Sequence, residues 1–334
     1  MSMEPSWLAL FWAGVIAFSI IAYVILDGFD IGVGILFGLT GKEDQRQPMM
    51  ASIAPFWDGN ETWLVMIGAS LYAAFPAVYA VFLGAFYLPV LLMLVGLIFR
   101  GVALEFRYRS SGMRKFWDAG FFYGSLVVAF VQGAAIGAML RGVPVENMQF
   151  AGGAFFWLQP FPILTGIGLV LGYALLGAGW LAIKTRGEVQ DWAYACIPKL
   201  VVAVFLVIAL AFATTLTIDV AAIAQSNFEQ RSWAWVFPLL AVLALLGVVL
   251  AARAKRLHLP FALTVAFFVF AFMTLVVMFW PYMIPYEITV AQAAAPESSL
   301  QFFFYGGAIV LPVIIVYTGV VYWVFRGKTD GYQA

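Results

Sequence analysis

The residues that could do chemistry in this chain are acids set in apolar surroundings. Asp27 and Asp30 lie three residues apart in Leu26-Asp-Gly-Phe-Asp-Ile-Gly-Val-Gly34. On a helix both carboxyls share one face, and Gly28, Gly32 and Gly34 let a neighbouring helix come close. Such a pair inside a membrane would handle protons or cations; at headgroup level it would be ordinary solvated charge. It is no dinucleotide loop, because no strand precedes it and the glycine spacing is wrong. A second group is Pro55-Phe-Trp-Asp58-Gly-Asn60-Glu61-Thr-Trp63. Pro55 can open a helix with Asp58 and Glu61 on one face of its start, where the helix dipole alone would favour carboxylates. The apolar run that follows at once points instead to a polar path at depth, so a capped interfacial helix and an interior path both stand. The third acid, Glu105, lies among Arg100, Arg107, Arg109, Arg114 and Lys115. It either pairs with Arg109 one turn on or gathers protons at a membrane mouth. The arginines themselves are read as complementing a helix carboxyl terminus on the cytoplasmic side.

The elements that position these acids must be membrane helices. The chain has 334 residues, of which 64% are apolar and 10% charged, against about 45–50% and about 25% in soluble proteins. Runs long enough to cross a bilayer lie near Trp7–Leu36, Ala77–Phe99, Ala119–Leu140, Ile163–Ile183, Leu200–Ile218, Trp233–Ala252, Phe261–Trp280 and Phe302–Phe325. Ser52–Phe75 has a clean apolar stretch too short to cross by itself and is read as a re-entrant or interfacial helix. The expected fold is therefore an all-α polytopic membrane protein. It has eight transmembrane helices in a single membrane domain, as two four-helix bundles in the halves 1–183 and 184–334. Lysine and arginine gather in the connections 100–118, 184–199 and 253–258 and after Phe325, so both termini are expected in the cytoplasm. A crossing by Ser52–Phe75 would move only the amino terminus and the Lys42–Arg46 loop. Met1–Ser6 has no basic start or cleavage site, so the first span is retained rather than removed as a signal peptide.

Composition excludes several classes of function. A formal net charge of +0 offers no field for nucleic acid. The single cysteine, Cys196, rules out an internal disulfide framework and reads as a small packing residue. The single histidine, His258, sits in a basic turn, so the chain has no histidine pair for a metal or haem. Asp219 reads as a solvated helix end. From the acids alone, a secondary transporter with a midplane cation or proton site at Asp27/Asp30 and the broken Ser52–Phe75 element is a live alternative, as is a scaffold whose acids only cap helices.

Three stretches together resemble subunit II of the cytochrome bd-type quinol oxidases: Leu26–Gly34, Ser52–Leu64, and Trp280-Pro-Tyr-Met-Ile-Pro285 continued to Ala295-Pro-Glu-Ser-Ser-Leu300. Glu61-Thr62 and the modest length are more similar to the cyanide-insensitive branch than to the longer enterobacterial form. The resemblance implies a respiratory enzyme of the bacterial inner membrane that oxidises quinol and reduces oxygen to water. Haems b and d would be held by a larger subunit I, to which this chain binds as a haem-free, non-catalytic heterodimer partner. It also implies a possible small accessory transmembrane subunit and a possible structural quinone. It carries proton-pathway roles onto Asp58 and Glu105, makes Asp27, Asp30 and Glu61 further polar-channel candidates, and sets Trp63 near oxygen access. Glu105 departs from members with aspartate at that position, which keeps the proton capacity and changes the reach. The interior acids find few bases at their own depth, so the apolar helix faces are expected to form a large permanent interface with subunit I.

Overall fold

A computed structural model describes residues 4–109, 112–215 and 230–329; Asp219 lies outside them. Ser6 opens α1 (Trp7–Phe37) by accepting a hydrogen bond from the Ala9 amide at 3.3 Å. Its 31 residues make about 46 Å of helix at about 1.5 Å per residue, longer than a hydrocarbon core of about 30 Å. From Asp27 to Phe37 every residue of α1 is buried, so this stretch is the axis around which neighbours assemble. α2 (Glu43–Ile53) follows at the same end, then α3 (Trp57–Ala74) and the short apolar α4 (Pro76–Ala85). Next come α5 (Tyr87–Phe106), α6 (Arg114–Arg141), α7 (Pro160–Lys184) and α8 (Gly187–Thr215). After a 3-10 turn at Ser232–Trp235 the chain forms α9 (Val236–Arg253), α10 (Leu259–Phe279), the short α11 (Val290–Ala293) and α12 (Glu297–Val324). Two small antiparallel hairpins, Val145–Glu146 with Gln149–Phe150 and Tyr282–Ile284 with Ile288–Thr289, sit in connections.

Eight of these helices are long and apolar enough to cross a membrane: α1, α5, α6, α7, α8, α9 with its preceding turn, α10 and α12. α3 falls in the segment 52–75. It starts beside the carboxyl-terminal third of α1, where Asn60 bonds to the Leu26 carbonyl at 3.1 Å. It continues with Trp63 edge-on to Phe18 and ends with Ala74 and Phe75 in one apolar cluster with Leu8. It therefore runs antiparallel to α1 along most of that helix. Its polar first turns lower its hydropathy, and its neighbours within the bundle are what accept them. α12 packs chiefly on α3 and α1, helices from the first half of the sequence.

The two ends of the bundle are held differently. At the end of α1 that contains Trp7 the contacts are apolar: Leu8, Trp12, Phe75, Phe86, Ala138, Ile284 and Leu300 form one cluster, and the Ala295 amide bonds to the Ala74 carbonyl at 2.9 Å. At the other end the fasteners are charged. Arg107 donates from both terminal nitrogens to Glu43 at 2.9 and 2.7 Å and from Nε to Asp118. Arg46 reaches Asp118 at 2.8 Å, and both guanidiniums lie against the Phe37 ring. The Lys184 ammonium donates to the carbonyls of Phe325 and Gly327, while Lys328 donates back to the Thr185 carbonyl, so the tail after α12 is tied to the end of α7.

α1 meets α7 where neither has a side chain to keep them apart. A Cβ at Gly32 would overlap the Tyr173 carbonyl oxygen, and one at Gly177 would overlap the Gly32 backbone. Gly28 is likewise covered by the Tyr173 ring and Gly34 by Ser125, so the glycine spacing does serve helix approach. Gly32→Ala should therefore lower the thermal midpoint of the purified protein, with overpacking of about 1–3 kcal/mol or more. Gly14→Ala, where nothing lies within 4 Å of the added carbon, should leave the midpoint unchanged; equal effects would show that the close approach does not matter.

The Arg107–Glu43 clamp makes a pH prediction. Hydrogen bonds from Arg107 hold the Glu43 carboxyl below the usual glutamate range, against the opposing effect of partial burial. Its stabilising contribution is full above the ordinary value of about 4.3 and disappears as pH falls through the lower native value. Glu43→Gln should lower the denaturation midpoint near pH 7, and the gap to wild type should close in acid below about pH 4. A gap of the same size at both pH values would remove the ionic origin.

Candidate functional site

The site forms where α1, α3 and α5 meet. The buried stretch of α1 presents Asp27 and Asp30 inward, both with no exposure. α5 brings Arg100 to the same level, also fully buried, and its guanidinium donates to Asp27 Oδ1 at 2.6 Å. Arg100 reaches Glu61 of α3 at 3.3 Å through its other terminal nitrogen. Asp30 is met by Asn60 of α3, which donates from Nδ2 to Oδ2 at 2.7 Å. The Asn60 carbonyl oxygen in turn accepts from the Tyr322 hydroxyl of α12 at 3.0 Å. Four helices thus converge on three carboxyls and one guanidinium. A charge in apolar surroundings costs at least about 2.5 kcal/mol at a helix centre, so Arg100 and an anionic partner bury together or not at all.

Charge and hydrogen-bond accounting show what this cluster can do. One guanidinium compensates one carboxylate, so ionising Asp27, Asp30 and Glu61 together would bury uncompensated negative charge. The remaining carboxyls are buried at least cost in the neutral form. Asp27 Oδ2, Asp30 Oδ1 and Arg100 Nε have no hydrogen-bond partner among the described residues. Buried polar groups of this kind are ordinarily satisfied by partners or by water. Beside the acids, Phe29 stacks on Trp180 at 4.1 Å, and Phe56 lies against Trp180 and Tyr322. The open flank is α3, where the Glu61 side chain is 25% exposed and Asp58, one turn earlier, is exposed.

The structure brings together Asp27, Asp30 and Glu61 and leaves Asp58 and Glu105 at the surface of this chain. Asp58 does not cap α3: Phe56 holds the cap position without a side-chain bond, and Pro55 lies in the preceding turn. Asp58 and Glu105 belong to the same end of the bundle, because Trp57, next to Asp58, covers Gly101 of α5. No ion pair joins Glu105 to Arg109 among the described residues. Trp63 is buried, and its indole nitrogen has no hydrogen-bond partner among the described residues. Arg100 corrects two sequence readings: it is not a cytoplasmic flanking charge, and the interior acids do have a base at their own depth. Its position carried a signal, since it lies seven residues, or about 10 Å of helix, before Arg107. Asn60 and Tyr322 were not legible as partners, because each reaches the site from another helix.

The arrangement also bears on cation and metal binding. The guanidinium of Arg100 occupies the place beside Asp27 that a transported cation would need. Among the described residues no group of three or more histidine, cysteine or acidic side chains could hold a metal ion. His258 is exposed in the turn before α10, so no imidazole inside the bundle is available to a haem iron.

Comparison with known proteins connects this site to a family. The family described as cytochrome bd terminal oxidase subunit II matches residues 8–325. The chain is 30% identical to cytochrome bd-I ubiquinol oxidase subunit 2 of Escherichia coli strain K12, over 96% of this chain and 95% of that protein. It is also 30% identical to cytochrome bd ubiquinol oxidase subunit 2 of Bacillus subtilis strain 168, over 96% of each. A solved structure of bd oxidase from Geobacillus thermodenitrificans superposes with a TM-score of 0.77 at 17% identity, covering 95% of this chain and 98% of that one. The fold is thus shared at low identity, and the sequence match extends from the first span to the end of α12. The chain belongs to the cytochrome bd terminal oxidase subunit II family.

Proposed function

We propose that this chain is the haem-free subunit II of a bd-type quinol:oxygen oxidoreductase of a bacterial inner membrane, and that its acid cluster supplies protons for oxygen reduction in the haem-bearing subunit I. The observation that carries this reading is the excess of carboxyls over bases, the buried Asp27 and Asp30 and the partly exposed Glu61 against Arg100 alone, opening to the surface at Glu61 and Asp58. Haems b and d would supply the electron transfer and oxygen chemistry in subunit I. The work of this chain is to keep a proton near that chemistry and to pass it on. Glu105, exposed among the basic residues at the charged end, exchanges with water; Asp58 receives the proton on α3; Glu61 and Asp30 hold it in the interior. Trp63, buried between α1 and α3 against Phe18, lines the apolar side and is the candidate for oxygen access.

The same face identifies the side that meets the partner. α12 is the least buried of the candidate spans, with Phe302, Ile309, Val316 and Trp323 all well exposed. It lies next to α3, whose Asp58 faces outward. An ionisable side chain set against lipid is unfavourable, so this flank is covered by protein, and subunit I is its occupant. A structural quinone or a small accessory transmembrane subunit would add to the assembly elsewhere.

Two predictions follow from this reading. In assembled oxidase with full haem content, Asp58→Asn keeps size and polarity but removes the titratable proton, so quinol turnover should fall at least about tenfold. Glu105→Gln should cost less, because water reaches it, and Glu105→Asp should be tolerated. Full turnover in the Asp58→Asn enzyme would end the proton role.

The second concerns topology. The lysines and arginines gather at the end of the bundle that holds the tail after α12, with Arg141 and Arg231 at the other, so the carboxyl terminus faces the cytoplasm. The antiparallel course of α3 beside α1 supports α3 as a further crossing, which puts the amino terminus outside rather than in the cytoplasm. With Cys196 replaced by serine, Ser6→Cys should be labelled by an impermeant maleimide added to intact cells, and Gly327→Cys only after lysis. Protection of both in intact cells would return the amino terminus to the cytoplasm.

A further inference from the structure

One buried polar line is not used by the acid cluster as described so far. Tyr173 of α7 donates its hydroxyl to Gln132 Oε1 at 2.8 Å, and Gln132 of α6 donates from Nε2 to the Tyr23 hydroxyl oxygen, also at 2.8 Å. Both phenols are buried. Tyr23 stands one helical turn before Asp27 on the same face of α1. Chemistry orients this line. An ionised carboxylate only accepts, and Asp27 Oδ2 has no partner while Oδ1 is taken by Arg100. The Tyr23 oxygen already accepts from Gln132, so its single proton is left to donate. The unmet acceptor one turn away is Asp27 Oδ2, which a rotation of the phenol or one bridging water would join to it. Every donor in the line then points toward Asp27. The line cannot conduct, because a carboxamide holds its N–H protons and does not relay them.

We infer that Tyr173, Gln132 and Tyr23 form a positioning chain that donates to Asp27 and holds it as the permanent anionic partner of Arg100, leaving the exchangeable proton of the cluster to Asp30 and Glu61. This rests on the proton-supply reading above and deepens it by separating a fixed counter-ion from the carrier acids. The other groups facing Asp27 are consistent with the division. α5 contributes the Arg100 cation, α3 contributes Glu61, α1 contributes Asp30, and α12 contributes Tyr322. α10 has no titratable side chain between Leu259 and Phe279, and α6 contributes only the neutral Gln132 at this level. Asp30 is the contrast in charge: each acid has one bonded oxygen and one without a partner, but Asp27 is met by the Arg100 cation and Asp30 by the neutral Asn60 amide. Hydrogen bonds to the charged form of a carboxyl favour that form, so the better-served acid remains ionised and the other takes the proton.

The test uses the assembled oxidase with Tyr23→Phe, Gln132→Met and Tyr173→Phe, each checked for full haem content. Infrared titration of the resting complex reads protonated carboxyl groups, with Asp27→Glu to assign the Asp27 band. In wild type no protonated Asp27 band should appear across the active pH range. Tyr23→Phe and Gln132→Met should make it appear in acid, its midpoint raised by about one pH unit, a tenfold change in proton affinity. The acid limb of the turnover curve should move to higher pH with it. Tyr173→Phe removes one distant hydroxyl and keeps the ring that covers Gly28, so it should assemble and give a smaller shift of the same sign. No shifted band in any of the three, or a fall in turnover at all pH values with an unmoved limb, would overturn the inference. The infrared reading does not depend on proton flow: a shifted Asp27 band together with full turnover in Asp58→Asn would support this inference while removing the route.

Discussion

A single buried guanidinium organises this protein. Arg100 lies within an apolar helix, cannot give up its proton, and must therefore be neutralised by acids at its own level. Asp27 and Glu61 do so from two other helices. This fixes α5 and α3 against α1 in register and rotation, because sliding either by one turn would leave an ion without a partner, at about 3–5 kcal/mol for a broken buried pair. Asp30, Asn60 and Tyr322 then extend the same constraint to α12, and Tyr23, Gln132 and Tyr173 extend it to α6 and α7. The site and the scaffold are one structure: the charges that could move protons are also what hold the helices in place.

Around that centre the two ends of the bundle follow different physics. The basic end joins α2, α5 and α6 through Arg107, Glu43, Arg46 and Asp118, and secures the tail with Lys184 and Lys328. The apolar end has no such fasteners and relies on Trp12, Phe75, Phe86 and Leu300. Between them Gly32 and Gly177 bring α1 and α7 into backbone contact, where dispersion replaces the hydrophobic drive that lipid does not provide. α12 is the least buried of the candidate spans. Its exposed Phe302, Val316 and Trp323 make sense as a surface completed by another membrane chain.

The family assignment and the physics of the site support each other without being the same argument. Matching over residues 8–325 establishes ancestry, and the shared fold shows that the helices are arranged as in a solved bd oxidase. Neither tells which carboxyl is fixed and which exchanges. The distinction we propose rests on charge: Asp27 is bonded to the Arg100 guanidinium, whereas Asp30 is bonded to the neutral Asn60 amide.

Much of the architecture was legible in the residues themselves. Apolar runs of sufficient length must be membrane helices because only helices satisfy their own backbone there, and each expected run overlaps such a helix. Ala77–Phe99, however, is divided at Phe86 into the short α4 and the crossing α5, which continues to Phe106, and the end of Leu200–Ile218 lies outside the described residues. The glycines beside Asp27 and Asp30 announced a close helix contact, and the scarcity of histidine already spoke against a haem on this chain. What the sequence could not decide was depth and partnership. Periodicity places Asp27 and Asp30 on one face of α1, but says nothing of which helix that face meets. Arg100 therefore looked like one more basic residue near a helix end, Ser52–Phe75 looked too short in apolar residues to cross by itself, and Asp58 was open to both a cap and an interior station. Only tertiary structure supplies the partners, Arg100 from α5, Asn60 from α3 and Tyr322 from α12, because the free energy of a buried charge depends on what is within hydrogen-bonding reach in space, not on what is near it along the chain.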